Sequence, residues 1–240
     1  MEFYSEIYKR KLKCYNDYIF NNSLKHNLLW EPEVIKAITS NLKENSEFID
    51  IGAHIGLISL GVCDNEKINK IHSFECDNDN FNFLKYNTSD ISKINLYNFG
   101  LSDKFKICTM NECKYNTGCN YISSTNDNGN IEELSYTWTN SSKESFSKKK
   151  NCYFNLIPLD SIMYQFNNVS VIKIDVEGYE YYVLNGAKEI INKFSPVLIV
   201  EIGVDNIDRV LDLLNDVGYI ISDVLSNENY VFVKNLIFNF

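Results

Sequence analysis

The spacing of hydrophobic positions changes repeatedly along this chain, and each change marks a new element. Phe48, Ile49 and Ile51 form a short apolar run that ends at Gly52, and Ile55, Leu57, Ile58 and Leu60 follow. The stretch 47–60 therefore reads as a strand, a glycine turn and the start of a helix. Upstream, Val34, Ile35, Ile38 and Leu42 recur at helical spacing behind Pro32, a residue that favours the first helical turn. Downstream, 71–75 reads as a second strand, and 77–87 as a helix with Asp77 as its N-cap and Phe81 and Leu84 inward. A third strand is expected over 94–98. After a weakly patterned section, 169–174 and 197–202 carry the unbroken β-branched runs of buried parallel strands. The pattern predicts a helix over 179–193 and another over 207–217, stopped by Gly218. Residues 219–222 and 230–233 are expected to pair as an antiparallel hairpin. Strand and helix alternate throughout, which predicts an α/β fold around a mostly parallel sheet.

Acids stand at the ends of four predicted strands: Asp50, Glu75, Asp175 and Glu201. In open parallel sheets the ligand crevice lies outside the carboxyl ends of the strands. Carboxylates gathered there repel one another unless cations or hydrogen-bond donors sit among them. The turn between the first strand and its helix reads Asp50-Ile51-Gly52-Ala53-His54-Ile55-Gly56. Gly52 permits a tight turn and close backbone approach, and Gly56 permits close packing of helix on strand. Asp50 stands where the dinucleotide fingerprint begins with glycine. A carboxylate there would repel a pyrophosphate at the helix N-terminus, and suits a ligand with a cationic amino group. S-adenosylmethionine, which carries an ammonium and a sulfonium and no phosphate, fits that demand. Glu75 follows the glycine turn by about twenty residues, the spacing at which nucleoside-binding folds hold ribose hydroxyls.

Residues 1–43 are expected to form a partly helical N-terminal cap, and 44–240 the main domain. Within 1–28, Tyr4, Tyr8, Tyr15 and Tyr18 alternate with Lys9, Arg10, Lys11 and Lys13. A solvated cap is one reading of this pattern, and a patch for a glycan or phosphate is the other. The section from about 104 to 155 is rich in Asn, Ser, Thr and Lys. It is expected to be an insertion of short strands and a mobile lid over the acceptor.

At 240 residues with 45% hydrophobic content, the chain can bury one full-sized core. A formal charge of -9 argues against nucleic acid as the main partner. Seven cysteines without a C-x-x-C pair suggest reduced thiols and a cytoplasmic setting. Cys108, Cys113 and Cys119 lack the spacing of a zinc site. No signal peptide and no run of about 18 apolar residues is visible.

Taken in order, several short motifs are specific. They are Trp30-Glu31-Pro32-Glu33, the 48–56 turn, Ser73-Phe74-Glu75-Cys76-Asp77, Gly100-Leu101-Ser102-Asp103, Asn116-Thr117-Gly118, Pro158-Leu159-Asp160 and Ile172-Lys173-Ile174-Asp175-Val176-Glu177-Gly178-Tyr179-Glu180. Over roughly 28–202 the chain resembles the FkbM family of S-adenosylmethionine-dependent methyltransferases. His54 and Cys76 depart from the family's usual asparagine and proline, and 120–150 matches little. The resemblance implies a Rossmann-like, seven-stranded class I methyltransferase fold whose terminal hairpin supplies the reversed strand. It implies methylation of a hydroxyl oxygen on a sugar, glycan or related small molecule. The turn of Asp50, Gly52, Ala53, His54 and Gly56 would hold the methionine part of the cofactor. Glu75 would grip the ribose with Cys76 beside it, and the stretch from Asn98 through Gly100, Leu101 and Ser102 would lie by the adenine. Glu31 would reach into the cofactor or acceptor pocket.

Methyl transfer from a sulfonium depends mostly on positioning, and a hydroxyl acceptor still benefits from a base. Asp175, which also borders the expected cofactor sulfur, is the first candidate, Glu177 the second and Glu201 the third. Lys173 shares a strand face with Asp175, as an orienting group or as a buried ion-pair partner. An Asp175/Glu201 pair holding a divalent metal is the alternative chemistry. His26, His54 and His72 form no triad spacing. Three other functions are weighed: an RNA ribose 2′-O-methyltransferase, a nicotinamide-dependent enzyme, and a non-catalytic module that keeps the fold.

Overall fold

A computed structural model describes residues 1–113, 121–125, 131–132, 146–225 and 228–235, with side chains for 1–110, 153–225 and 228–235. The chain opens with a hairpin, β1 (Glu2–Ser5) and β2 (Arg10–Lys13), paired Glu2↔Lys13 through Ser5↔Arg10. Helices α1 (Tyr18–Asn22) and α2 (Pro32–Asn41) follow. The expected cap is thus only partly helical. In this hairpin Leu12 and, in its turn, Tyr8 are buried and Lys9 and Lys11 exposed, while Arg10 is partly buried and donates to Asp90 Oδ1 at 2.8 Å.

The Rossmann-like fold then unrolls: β3 (Ser46–Ile51), α3 (Leu57–Val62), β4 (Ile68–Phe74), α4 (Asn78–Asn87) and β5 (Ile94–Tyr97). Short β6 (Gly100–Leu101) leads to β7 (Lys106–Cys113), β8 (Tyr121–Thr125), β9 (Ile131–Glu132) and β10 (Phe146–Ile157). These five strands form a second sheet in the order β6-β10-β7-β8-β9. The main fold resumes with β11 (Val169–Ile174), α5 (Glu180–Asn185), α6 (Lys188–Phe194), β12 (Val197–Glu201), α7 (Ile207–Asp216), β13 (Tyr219–Val224) and β14 (Asn229–Lys234).

The main sheet has seven strands in the order β13-β14-β12-β11-β3-β4-β5. All are parallel except β14, which runs antiparallel to both β12 and β13. From β3 the chain builds outward through β4 and β5, then returns to β11 on the other side of β3. The switch point therefore lies between the ends of β3 and β11, where ligand crevices open in such sheets. Both central strands are buried along their full length, which explains their unbroken apolar runs.

One face of the sheet packs Ile49, Ile51, Ile172, Ile174 and Val200 against Val183, Leu184, Ile190, Val210 and Leu214 of α5, α6 and α7. The other packs Phe48, Val171, Ile199 and Val231 against Val34, Ile35 and Ile38 of α2 and Ile58 and Val62 of α3. The helix expected over 179–193 is broken in two at Gly186. A Cβ on Gly186 would lie 1.9 Å from the Ser102 carbonyl oxygen, so the break admits a neighbouring loop. In the 104–155 section, Cys108 and Leu156 of the second sheet belong to the main core. Asn116, Thr117, Gly118, Cys119 and Gly129, as well as the Cys113 side chain, lie outside the described residues. No described helix is long and apolar enough to cross a membrane.

Candidate active site

Strand register builds the site. Phe48, Val171 and Val197 lie side by side on the face covered by α2 and α3. Two residues further on, the same face carries Ser73, Asp50, Lys173 and Ile199 in one cross-strand row. Two more residues bring Asp175, and beside it Glu201, opposite Asn229. An apolar floor under the helices thus turns polar and acidic where the strands end. Glu31, the residue before α2, is drawn over the same edge, since the charges of Lys173, Asp175 and Asp50 all act on it.

Lys173 is the cation of this group. It is 2% exposed, and its Nζ donates to Asp175 Oδ2 at 2.7 Å. Burial opposes its charge, yet Asp175, Glu31 and Asp50 together hold its pKa above the ordinary lysine value. Asp175 is penalised by burial too, but Lys173 and a hydrogen bond from Glu201 outweigh that penalty and hold it low. Glu201 carries the opposite shift, pushed up by burial and by the adjacent Asp175. Of these two neighbouring carboxyls, Glu201 is thus the one that favours the proton and Asp175 the one that favours the charge. Sequence reasoning placed Glu201 third among the candidate bases, behind Asp175 and Glu177; of the pair, Asp175 is the one held low and Glu201 the one pushed up.

Asp50 is fully buried and burial raises its pKa, against the pull of Lys173 and Ser59. The Ser59 hydroxyl donates to its Oδ2 at 2.6 Å and sits 2.8 Å from Ser73 Oγ. Asp50 Oδ1 has no partner among the described residues, and neither has Glu31 Oε2. Buried acceptors of this kind are rare in folded proteins, and two of them around one lysine call for a cationic donor.

The glycine turn follows. Gly52 has φ +81°, and a Cβ there would lie 1.8 Å from the Asp175 carbonyl oxygen. No side chain can stand at this switch point. Ala53 is buried, and His54 and Gly56 have φ of +51° and +93°. The backbone N–H of His54 donates to Glu75 Oε2 at 2.9 Å, and that of Asp77 to Oε1 at 2.7 Å. Glu75 thus clamps the turn, while burial raises its pKa to about 7. The His54 imidazole, lying 6.3 Å from the Tyr15 ring, is held down to about 4 by burial and is neutral at pH 7.

Beyond β11, Glu177 and Gly178 take successive positive φ values of +51° and +92°. Glu180 Oε1 accepts from the Gly178 N–H at 2.7 Å, and Asn206 donates to the Gly178 carbonyl at 3.0 Å. This clamp brings Glu177 to Asp175 and Glu201, with one oxygen of each within 4.8 Å of the others. Lys173 and the proton that Glu201 favours already balance much of that charge, so a metal is not needed to account for it.

Other expected ligand residues sit differently. Cys76 is half-buried beside Gly100, while Leu101 is buried in the core. Ser102 contacts Asp103 and Tyr179 through its hydroxyl and is turned into the fold. Asn98 donates to the Glu75 carbonyl at 3.0 Å. A groove of about 490 Å³ opens next to it, lined by Asn98, Phe99, Phe105, Lys106, Ile107, Asn155, Leu156 and Ile157. None of the acid row lines this groove. Sequence reasoning did not single out Ser59 or Asn206, and named Ser73 only as part of a motif. Ser59 was the findable one, a lone hydroxyl inside an apolar helical run.

The model of the family described as the methyltransferase FkbM domain matches residues 50–221. No curated protein matches the chain. Among solved structures, methyltransferase FkbM from Methylobacillus flagellatus KT aligns with a TM-score of 0.50 and 18% identity. The alignment covers 79% of this chain and 43% of that one, so the chain spans less than half the length of that protein. A precorrin-6y C5,15-methyltransferase from Geobacter metallireducens GS-15 gives 0.46 and 11%, covering 85% of this chain and 89% of the other. Aeropyrum pernix fibrillarin with natively bound S-adenosyl-L-methionine gives 0.48 and 10%, covering 84% and 72%. The strand order, the acid-ended switch point and a family match over most of the chain agree: the protein belongs to the FkbM methyltransferase family.

Proposed function

We propose that the protein transfers a methyl group from S-adenosylmethionine to a hydroxyl oxygen of a sugar, glycan or related small molecule. The observation that carries this reading is Asp50 Oδ1, a buried carboxylate oxygen without a donor beside the glycine turn. It suits an ammonium and would repel a pyrophosphate. The donor set fits the rest of the cofactor as well. Glu75, whose oxygens each accept one backbone bond, has lone pairs left for ribose hydroxyls. Gly52 brings bare backbone to the ligand, and His54 presents an uncharged ring. When bound, S-adenosylmethionine supplies a methyl group on an already activated sulfonium.

The chain's own residues then hold the acceptor and take its proton. Lys173 keeps Asp175 ionised, and protonated Glu201 fixes its orientation. Asp175 accepts a hydrogen bond from the acceptor hydroxyl. A weakly basic carboxylate is adequate, because the hydroxyl becomes strongly acidic as its oxygen gains the methyl carbon. Holding the two reactants in line supplies most of the acceleration. The net charge of -9 favours an uncharged acceptor over a polyanionic one.

Calorimetric titration with S-adenosylmethionine, S-adenosylhomocysteine and NAD tests the donor. Binding of both sulfur ligands without NAD is expected, and binding of neither would refute the reading. Mass-spectrometric screening of sugars against RNA oligonucleotides for one added methyl group then tests the acceptor. Methylated RNA with unmodified sugars would overturn the acceptor class.

A further inference from the structure

The family match begins at residue 50, yet the first hairpin is joined to the glycine turn by direct hydrogen bonds through one side chain. That side chain is Asn87, the buried last residue of α4. Its Oδ1 accepts from the Lys13 N–H at 2.7 Å, and its Nδ2 donates to the Lys13 carbonyl at 3.0 Å. The amide thus pairs with the end of β2 as a neighbouring strand would. Its Nδ2 also donates to the Ile55 carbonyl at 2.8 Å, inside the turn. Both donors and the acceptor of the amide are engaged.

Ile55 stands between His54 and Gly56, whose φ values of +51° and +93° shape the turn. A residue other than glycine rarely holds such a backbone unless its surroundings enforce it. The hairpin segment supplies that enforcement. The Ile55 side chain is buried in one cluster with Tyr8 and Leu12, and the Tyr15 ring lies 6.3 Å from the His54 imidazole at an angle of 24°. From the other side α4 closes on the turn, since a Cβ on Gly56 would lie 2.7 Å from Leu84 Cδ1. The hairpin's rim is fastened as well. The Tyr86 hydroxyl donates to Glu2 Oε2 at 3.0 Å, and Arg10 Nη1 donates to Asp90 Oδ1 at 2.8 Å.

We propose that the N-terminal hairpin is a clasp on the ligand turn, and that Asn87 is the positioning residue that couples the two. The proposal rests on the methyl-donor reading above. With the hairpin docked, the turn is held in the shape that brings bare backbone to the ligand. With it undocked, the Ile55 carbonyl loses its donor, the Ile55 side chain loses its cover and His54 is no longer braced. Chain ends are where such local opening concentrates. A ligand that requires the turn binds the docked state, so a filled site holds the hairpin down. Loosening the hairpin weakens binding by the same coupling, because linkage between two equilibria is reciprocal.

Hydrogen exchange of the full chain, read by mass spectrometry with and without S-adenosylhomocysteine, tests the coupling. In the wild type the ligand should slow exchange in residues 2–13 as well as in the turn. For Asn87→Ala, exchange in both stretches should quicken together without ligand, and S-adenosylhomocysteine should bind about tenfold more weakly. Leu12→Ala loosens the hairpin and leaves Asn87 in place, so it serves where Asn87→Ala does not fold. Its affinity should fall too, and the ligand should slow its hairpin exchange by a larger factor than in the wild type. Slowing confined to the turn would overturn the proposal. Wild-type affinity in a folded variant whose hairpin exchanges faster would overturn it as well. If S-adenosylhomocysteine neither binds the wild type nor slows exchange anywhere, the methyl-donor reading falls and the clasp with it.

Discussion

Replacing Lys173 by methionine should be the most damaging conservative change in the sheet. The side chain is 2% exposed and pairs with Asp175 at 2.7 Å, and its charge also serves Asp50 and Glu31. Methionine fills nearly the same volume, so cavity formation is a small part of the effect. What remains is a set of buried carboxylates without their cation, and breaking one buried pair this way costs about 3–5 kcal/mol. At about 2–4 °C per kcal/mol for a chain of this size, the melting temperature should fall by about 6–20 °C. Urea unfolding followed by circular dichroism measures the loss. Asp175 is held below its ordinary value of 3.8, so its stabilisation is full above that value and fades as the pH falls through the lowered one. The deficit of Lys173→Met should therefore be largest above pH 3.8 and shrink in acid. Adding Asp175→Asn should recover part of it, since the uncompensated charge goes too. A loss below about 1 kcal/mol, or a double variant as unstable as the sum of the singles, would refute the charge argument.

Gly52→Ala should abolish S-adenosylhomocysteine binding and destabilise the fold by at least about 1–3 kcal/mol, since φ is +81° and the new Cβ meets the Asp175 carbonyl. Calorimetry and melting report both effects, and full affinity would place the ligand elsewhere. Glu75→Gln must aim an NH₂ at the N–H of either His54 or Asp77, whichever way the amide is turned. A loss of about 1–3 kcal/mol in stability and a clear fall in nucleoside affinity are expected, and wild-type values would remove Glu75 as the clamp. Burial raises the Glu180 pKa from 4.5 to about 7. Its contribution is complete below pH 4.5 and is lost as the pH climbs through about 7, so wild-type stability should decline across that window relative to Glu180→Gln. Parallel pH profiles would show the shift to be absent.

Much of this was written in the local sequence. Period and β-branching identified the central strands because β3 and β11 are buried on both faces and tolerate little polarity. The four strand-end acids were visible for the same reason, as charges closing apolar runs. The N-terminal hairpin was not legible. Its strands are four residues each, and its inward set of Ser5, Tyr8 and Leu12 is too sparse to show a period. Gly186 looked like an ordinary helix residue, since the Ser102 carbonyl that requires it lies far away in sequence. The division of labour between Asp175 and Glu201 was hidden as well. Two acids on adjacent strands read alike until their contact shows which one keeps the proton.

Asn87 on α4 bears on how the chain is made. Its amide donates to the carbonyls of Lys13 and Ile55, and its oxygen accepts from the Lys13 N–H. One side chain thereby joins the first hairpin, α4 and the ligand turn. During synthesis the hairpin leaves the ribosome before Asn87 exists, so this dock is complete only once α4, which follows the first two strands of the main sheet, has been made. Glu31 travels with that same segment. Hairpin and ligand turn are thus tied together by a helix that lies between the second and third strands of the main sheet.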